Sequence, residues 1–465
     1  KLKNLFIFLS AGKPIYSMHG DDDATLGYSG LITTIVASFE EGTGLRFQSI
    51  SQNGFRICVM NRAPLIFVAI TKVANELMLE DRFLEHQLEM MYNYVLAVLS
   101  RPTIIKNFHN RMNYDLRRIL SAQDLKTLDI LATMTTYGYY DIDSDPSGAT
   151  CVADPSLCFA TLLNNALQCA RLSSTVREKI ESLFLQCKRI KVSQTLYATE
   201  LSRYLAADLL FAFLVYDNKI VSYIRHKTHE LSNLDINTLL LTLAQLNQAD
   251  EGAQTEEPDL WVPICLANFN DSGFFHCYQR HFYLKKMSKP LTFLLLSGNK
   301  NSFFDMKQIA NHIISKIHDS SNLSKLLAVE LVQGSQPLSR SLDVPNITHF
   351  MYKRRKGNQF YMDPMSFTQS PTQNVIDAMH FIYLYSALLS SQAQEFRIGA
   401  KLKKLTYTRW HIKDGYTGFF LAEEKYEFYC ICGGFVQSAT VIEQSLRIIN
   451  RCERYRKRLF IDKGV

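Results

Sequence analysis

Leu5-Phe6-Ile7-Phe8-Leu9, then Ser10-Ala11-Gly12-Lys13-Pro14, then Ile15-Tyr16-Ser17 open the chain as an apolar run, a turn and a second short run. This stretch decides the fold because the same arrangement returns twice further on. A five-residue run that is apolar at every position suits a strand covered on both faces. Gly12 and Pro14 supply the turn chemistry. Behind the hairpin a helix is expected over residues 24–40, where Leu31, Ile32, Ile35, Val36 and Phe39 recur at helical spacing. Strands follow over 45–51, 55–60 and 65–71, the first two joined at Asn53-Gly54, whose residues tolerate positive φ. A closing helix over 82–99 carries Leu84, Leu88, Met91 and Val95 on one face, and a helical tail is expected over 110–135.

The second unit is introduced by helices over 155–206, then strands over 209–216 and 219–224 that turn at Asp217-Asn218. A helix over 236–246, a loop over 248–258, strands over 261–269, 274–285 and 291–296, and a closing helix over 302–329 broken near Asp319-Ser320-Ser321 complete it. The third has strands over 347–353 and 359–362, a helix over 373–391, strands over 405–411, 417–422 and 426–432, and a final helix over 439–460. A repeat of this kind fixes the architecture before any single residue is interpreted. Two strands, a helix, three strands and a helix give a five-stranded antiparallel sheet flanked by helices, an α+β unit. The chain is therefore expected to hold three such units, at residues 1–140 with a helical extension, 152–332 and 346–465.

Composition agrees with a globular chain of about three domains. Of 465 residues, 47% are hydrophobic and 20% charged, which argues against disorder. The net charge of +7 is unevenly placed: Asp21-Asp22-Asp23 is acidic, whereas 353–356 and 454–458 are basic. The ten cysteines show no zinc spacing, and Cys430-Ile431-Cys432 suits one face of a strand. They read as reduced, buried thiols of a cytosolic protein. No apolar run reaches about 18 residues, so no transmembrane helix is expected. Lys1 is not Met and a strand begins at once, so the chain reads as a fragment or one that has lost a leader.

Catalytic chemistry is not evident. Gly12-Lys13-Pro14 lacks the upstream glycine of a phosphate loop, and Pro14 offers no hydroxyl for magnesium. His226 and His229, and His276 and His281, are paired without an acidic partner on a helix, so no metal and no cofactor is expected. No nucleophile elbow is present.

Three segments carry a resemblance. Leu9-Ser10-Ala11-Gly12-Lys13-Pro14-Ile15-Tyr16-Ser17 resembles the first hairpin of the Mon-one/SAND proteins. Asn113-Tyr114-Asp115-Leu116-Arg117-Arg118-Ile119-Leu120 is similar to that family's segment after its first domain. Trp261-Val262-Pro263-Ile264-Cys265-Leu266, with Phe269-Asn270 and Gly273-Phe274-Phe275-His276, is similar to its middle-domain signature. The resemblance implies three longin-type domains and one half of a heterodimer with a second tri-longin protein, Ccz. It implies a guanine-nucleotide exchange factor for a late-endosomal or vacuolar Rab GTPase of the Rab-seven class, peripheral on that membrane, in endosome maturation, vacuole fusion and autophagy. A longin-type trafficking scaffold or adaptor without exchange activity is the alternative. Neither reading needs covalent chemistry or nucleic acid.

Candidate contact residues follow. Gly27 and Gly30 each cost a helix interior roughly 1 kcal/mol relative to Ala, which suggests that another backbone comes close. With Leu31 and Thr34 they form the expected partner or Rab surface, and Lys13, Tyr16, Met18 and His19 form a rim beside it. Arg447, Arg451, Arg454 and Arg458 recur at i, i+4, i+7 and i+11, away from Ile442, Leu446 and Ile449. With Lys353, Arg354 and Arg355, and with Lys401, Lys403 and Lys404 adding charge, they form an expected face for an anionic phosphoinositide membrane.

Overall fold

A computed structural model of the chain describes residues 2–20, 22–52, 54–79, 81–110, 117, 119–134, 155–196, 199–248, 259–365, 371–390, 407–413 and 415–462. The first unit contains β1 (Lys3–Leu9), β2 (Pro14–Ser17), α1 (Asp22–Thr43), β3 (Ser49–Gln52), β4 (Phe55–Arg62), β5 (Leu65–Thr71), α2 (Ala74–Met78) and α3 (Asp81–Leu99), extended by α4 (Arg101–Asn110) and α5 (Ala122–Thr133). The second is approached through α6 (Pro155–Leu162), β6 (Leu167–Gln168), α7 (Ser174–Cys187), β7 (Lys191–Leu196) and β8 (Thr199–Tyr204). It comprises β9 (Leu209–Tyr216), β10 (Lys219–Arg225), α8 (Asn233–Gln248), β11 (Leu260–Ile264), α9 (Ala267–Asn270), β12 (Phe275–Phe282), β13 (Leu291–Ser297), α10 (Phe303–Asp319) and α11 (Ser321–Gly334). The third runs through β14 (Ile347–Arg354), β15 (Gln359–Met362), α12 (Pro371–Leu389), β16 (Tyr407–Lys413), β17 (Tyr416–Ala422), β18 (Tyr426–Gly433), α13 (Ser438–Arg454) and α14 (Arg456–Leu459).

Each sheet follows the order second-first-fifth-fourth-third: β2-β1-β5-β4-β3, β10-β9-β13-β12-β11, and, read from the other edge, β16-β17-β18-β14-β15. The three units share one α+β plan with antiparallel sheets. The central strands explain the unbroken apolar runs. In β1, Leu5, Ile7 and Leu9 enter one core while Phe6 and Phe8 enter another. In β18, Tyr429 and Ile431 face α12, and Cys430 and Cys432 face the opposite core together. The cysteines of the described residues are buried free thiols. Asp217 and Asn218 both take positive φ, as their turn requires.

Three expectations need correction. Residues 155–206 are not helical throughout, because Lys191–Leu196 and Thr199–Tyr204 pair as an antiparallel ribbon. The expected strand over 261–269 stops at Ile264, and Ala267–Asn270 forms a helical turn. The third sheet gains a sixth strand, because Leu167–Gln168 pairs in parallel with Gln359–Phe360.

The units are joined by polar groups that are largely desolvated. At the α3–α8 contact, Asn93 Nδ2 donates to Thr238 Oγ1 (2.9 Å) and Asp235 Oδ1 (3.2 Å), and Asn268 Nδ2 donates to Asn93 Oδ1 (3.1 Å). Arg177 on α7 is buried and donates to the carbonyls of Ala170 (2.9 Å), Val221 (3.0 Å) and Lys457 (2.8 Å). Gln359 and Ile461 exchange two further bonds of 2.8 and 3.0 Å.

His349 on β14 lies buried against α12. A carbonyl only accepts, so His349 Nε2 donates to Asp363 O at 2.7 Å, and Tyr385 OH donates to Nδ1 at 2.6 Å. Burial holds its pKa below the usual histidine value. The unfolded chain then binds a proton below about pH 6.5 that the folded chain refuses, so stability falls on acidification. Chemical denaturation between about pH 7.5 and 5.5 is expected to show a loss from this group that steepens on acidification, with a ceiling of about 1.4 kcal/mol per pH unit. His349→Gln is expected to remove that increment. An unchanged pH slope in the variant would show that the imidazole is protonated without cost.

Candidate functional site

Helix α1 covers one face of the first sheet. Ile32 and Val36 pack on Phe6, Phe8, Val59, Ile66 and Val68. Ser29 ties the helix to the preceding hairpin, donating to Gly12 O at 2.7 Å. Opposite this buried side lie Gly27, Gly30, Leu31 and Thr34, all exposed, with Leu31 at 60%. A Cβ built at Gly27 or Gly30 meets nothing within 4 Å. Packing on the helix's own sheet therefore does not account for either glycine.

Leu26 and Ile35 extend the exposed apolar surface; the sequence reading counted Ile35 only among the helix's apolar positions and did not name Leu26. The signal was present in the adjacent pairs Leu31-Ile32 and Ile35-Val36. Residues i and i+1 stand about 100° apart on a helix and do not face one sheet together.

The three units allow an internal comparison. The equivalent helices α8 and α12 are covered: α8 lies against α3, and α12 packs over the third sheet and against α2. Their described side chains are buried or half-buried. Among the described side chains of these three helices, only those of α1 present an apolar outer face to solvent.

The hairpin residues divide. Lys13, Met18 and His19 are half-buried, and Met18 packs against the core. His19 Nε2 lies 2.7 Å from the carbonyl of Lys3. Tyr16 is a correction: its side chain is only 5% exposed and belongs to the core, not to a rim. Tyr16 OH donates to Asp129 Oδ1 at 2.6 Å. Burial raises the pKa of both groups. A depression of about 270 Å³ beside this pair is lined by Met18, Arg117 and Leu125. Most of the segment 113–120 and residue Asp21 lie outside the described residues.

Family models describing the first, second and third longin domains of FUZ, MON1 and HPS1 match residues 3–131, 207–315 and 346–456. Vacuolar fusion protein MON1 of Candida albicans is 35% identical over 473 residues, covering 99% of this chain and 75% of that protein. This chain belongs to the MON1 family. The similarity extends to vacuolar fusion protein MON1 of Yarrowia lipolytica, 28% identical over 100% of this chain and 75% of that protein. Its namesake in Saccharomyces cerevisiae is 25% identical over 99% of this chain and 71% of that protein. The three longin domains of the MON1 family are thus the three repeated units.

The basic surface of this MON1-family chain is less uniform than its spacing suggested. Helix α13 buries Val441, Gln444, Ser445, Ile448, Ile449 and Cys452. Ile442 and Leu446 are instead exposed, at 39% and 43%, so these apolar positions do not turn into the core, while Arg447 and Arg451 stand on the other flank of the helix. The helix ends at Arg454, and Arg458 belongs to α14, off the expected i+11 position. Arg451 and Arg458 converge on the Tyr455 ring, at 5.2 and 5.1 Å from its centroid.

Several cations have carboxylate partners. Arg447 meets Asp343 (3.3 Å) and Glu443 (2.7 Å), Lys353 and Arg355 meet Glu427 (3.2 and 3.1 Å), and Arg354 meets Asp462 (2.6 Å). These pairs reduce the charge at the 353–355 turn more than along α13. Arg454 is exposed, and Lys401, Lys403 and Lys404 lie outside the described residues. His226 and His229 bond Thr228, and no cluster of three potential metal ligands occurs among the described residues. No helix among them is long and apolar enough to cross a membrane.

Proposed function

We propose that the chain is one subunit of a heterodimeric guanine-nucleotide exchange factor for a late-endosomal or vacuolar Rab GTPase of the Rab-seven class. The observation that carries this reading is the outer face of α1. The chain uses the corresponding helices of its second and third domains to assemble with itself, and leaves this one uncovered. A second tri-longin subunit of the Ccz kind supplies a helical layer of the type that α8 and α12 already meet. The joined first domains then hold the GTPase.

Exchange needs no nucleophile. It needs a surface that binds the switch region better in a form that no longer holds magnesium and phosphate. Such a surface accelerates GDP release by the difference in affinity between the two forms. The cations of the third domain direct the assembly to an anionic phosphoinositide membrane, where the lipidated GTPase resides. MON1-family membership supports a place in vacuole fusion.

Release of a fluorescent GDP analogue from a panel of Rab proteins, with and without the partner, tests the proposal. Selective acceleration on a late-endosomal Rab is expected. A stable heterodimer that accelerates release from none of the panel leaves a trafficking scaffold.

A further inference from the structure

We infer that the Phe435 loop and the apolar flank of α13 insert into the head-group region of an anionic bilayer, adding a hydrophobic anchor to the basic one. This deepens the membrane part of the proposed function and rests on it. Phe435 is 91% exposed, yet the loop that carries it is held in place. Gly434 takes φ +79° and donates to Gly415 O at 2.7 Å, while Gly433 donates to Asn346 O at 3.2 Å. The next residue, Val436, packs into the core of the third domain. The backbone is thus fixed by three contacts while the phenyl ring projects outward. A rigid presentation lowers the ordering cost of insertion.

Helix α13 continues from this loop along the sheet. Gln444 accepts from Asn346 N at 3.2 Å near its start, and Glu453 accepts from Tyr352 OH near its end. Phe435, Ile442, Leu446 and Arg454 are therefore strung along one outer layer, about 25 Å long for a helix of 17 residues.

Charge complementarity selects the occupant. Residues 438–459 contain six cations (Arg447, Arg451, Arg454, Arg456, Lys457, Arg458) and two carboxylates (Glu443, Glu453), 6 − 2 = +4. Both carboxylates already have partners in Arg447 and Tyr352. Exposed aromatic and aliphatic side chains beside a surplus of cations match an interfacial helix, for which apolar burial and attraction to anionic lipid add.

The test uses the full chain, alone and copurified with the proposed second tri-longin subunit. Vesicles are phosphatidylcholine with or without about one fifth phosphatidylserine. Phe435→Trp serves as the reporter, read against wild type. Its emission is expected to shift to the blue on anionic vesicles and to be quenched by brominated acyl chains. Phe435→Ser with Leu446→Ser is expected to lower vesicle binding about tenfold at about 0.5 M salt, where charge attraction is screened. Its melting midpoint should fall only slightly, because Phe435 is exposed and Leu446 is half-exposed in a helix where serine is a slightly poorer helix former than leucine. Binding without quenching overturns insertion and leaves the electrostatic reading standing. No binding to either vesicle, or to the same vesicles carrying a phosphoinositide, overturns both. Loss of the copurifying subunit with vesicle binding intact shows that the loop is a protein contact and overturns the inference.

Discussion

Replacing Gly27 or Gly30 by leucine is expected to stabilise the isolated chain while abolishing its joint activity. Each glycine sits in the interior of α1 with nothing within 4 Å of a built Cβ, so a larger side chain meets no obstacle in the monomer. Removing a helix-interior glycine contributes about 0.5–1 kcal/mol. In the proposed assembly the same side chain stands where a second helical layer approaches. Heterodimer formation, or nucleotide release by the dimer, is expected to fall at least a hundredfold, about 2.7 kcal/mol. The opposite signs make the experiment discriminating. A variant that simply misfolds lowers both the melting midpoint and the activity. Normal exchange by both leucine variants would place the partner elsewhere.

Arg177→Ala is expected to be the most damaging single substitution at the joint between the second and third domains. Its guanidinium bonds carbonyls on both sides: Ala170 and Val221 in the second domain, and Lys457, Arg458 and Phe460 near the end of the third. Burial lowers the guanidinium pKa, but arginine stays charged, so the pocket of carbonyl oxygens is its solvation shell. Deleting it leaves several buried acceptors without a donor, at a cost of about 3 kcal/mol or more. The expected readout is a lower melting midpoint. Arg177→Lys should recover only part, because an ammonium lacks the planar fork. A melting profile identical to wild type would show that the joint is held by apolar packing alone.

The sequence was informative where one local rule sufficed. Apolar runs such as Leu5–Leu9 and Leu209–Tyr216 have the pattern of strands buried on both faces, and Asp217-Asn218 has the chemistry of its turn. It was less informative where a distant partner decides. Lys191–Leu196 and Thr199–Tyr204 form a ribbon although a helix leads into them, and the β-branched Val192, Thr195 and Thr199 were the overlooked sign. The sixth strand of the third sheet is two residues long and has no signature of its own.

On α13, counting hydrophobic residues misplaced the packed face. Gln444 and Ser445 are buried while Ile442 and Leu446 are exposed, because Gln444 is held by Asn346, almost a hundred residues earlier. At the candidate site, the α1 residues could be grouped from spacing alone. Tyr16 could not be assigned, because its burial depends on Asp129 in a helix of the extension.

The helical layer between the first and third sheets draws on residues from Leu5 to Ile431, so one continuous core belongs to both ends of the chain. On the ribosome those ends are separated in time. When α5 has emerged, about 300 residues remain before β18 is complete, an interval of about 15–60 s at 5–20 residues per second. Throughout it, α2 waits for the cover that α12 of the third domain provides. The newborn first domain is therefore a client for holding chaperones, and an excised first domain will be recovered as aggregate unless that layer is recoated.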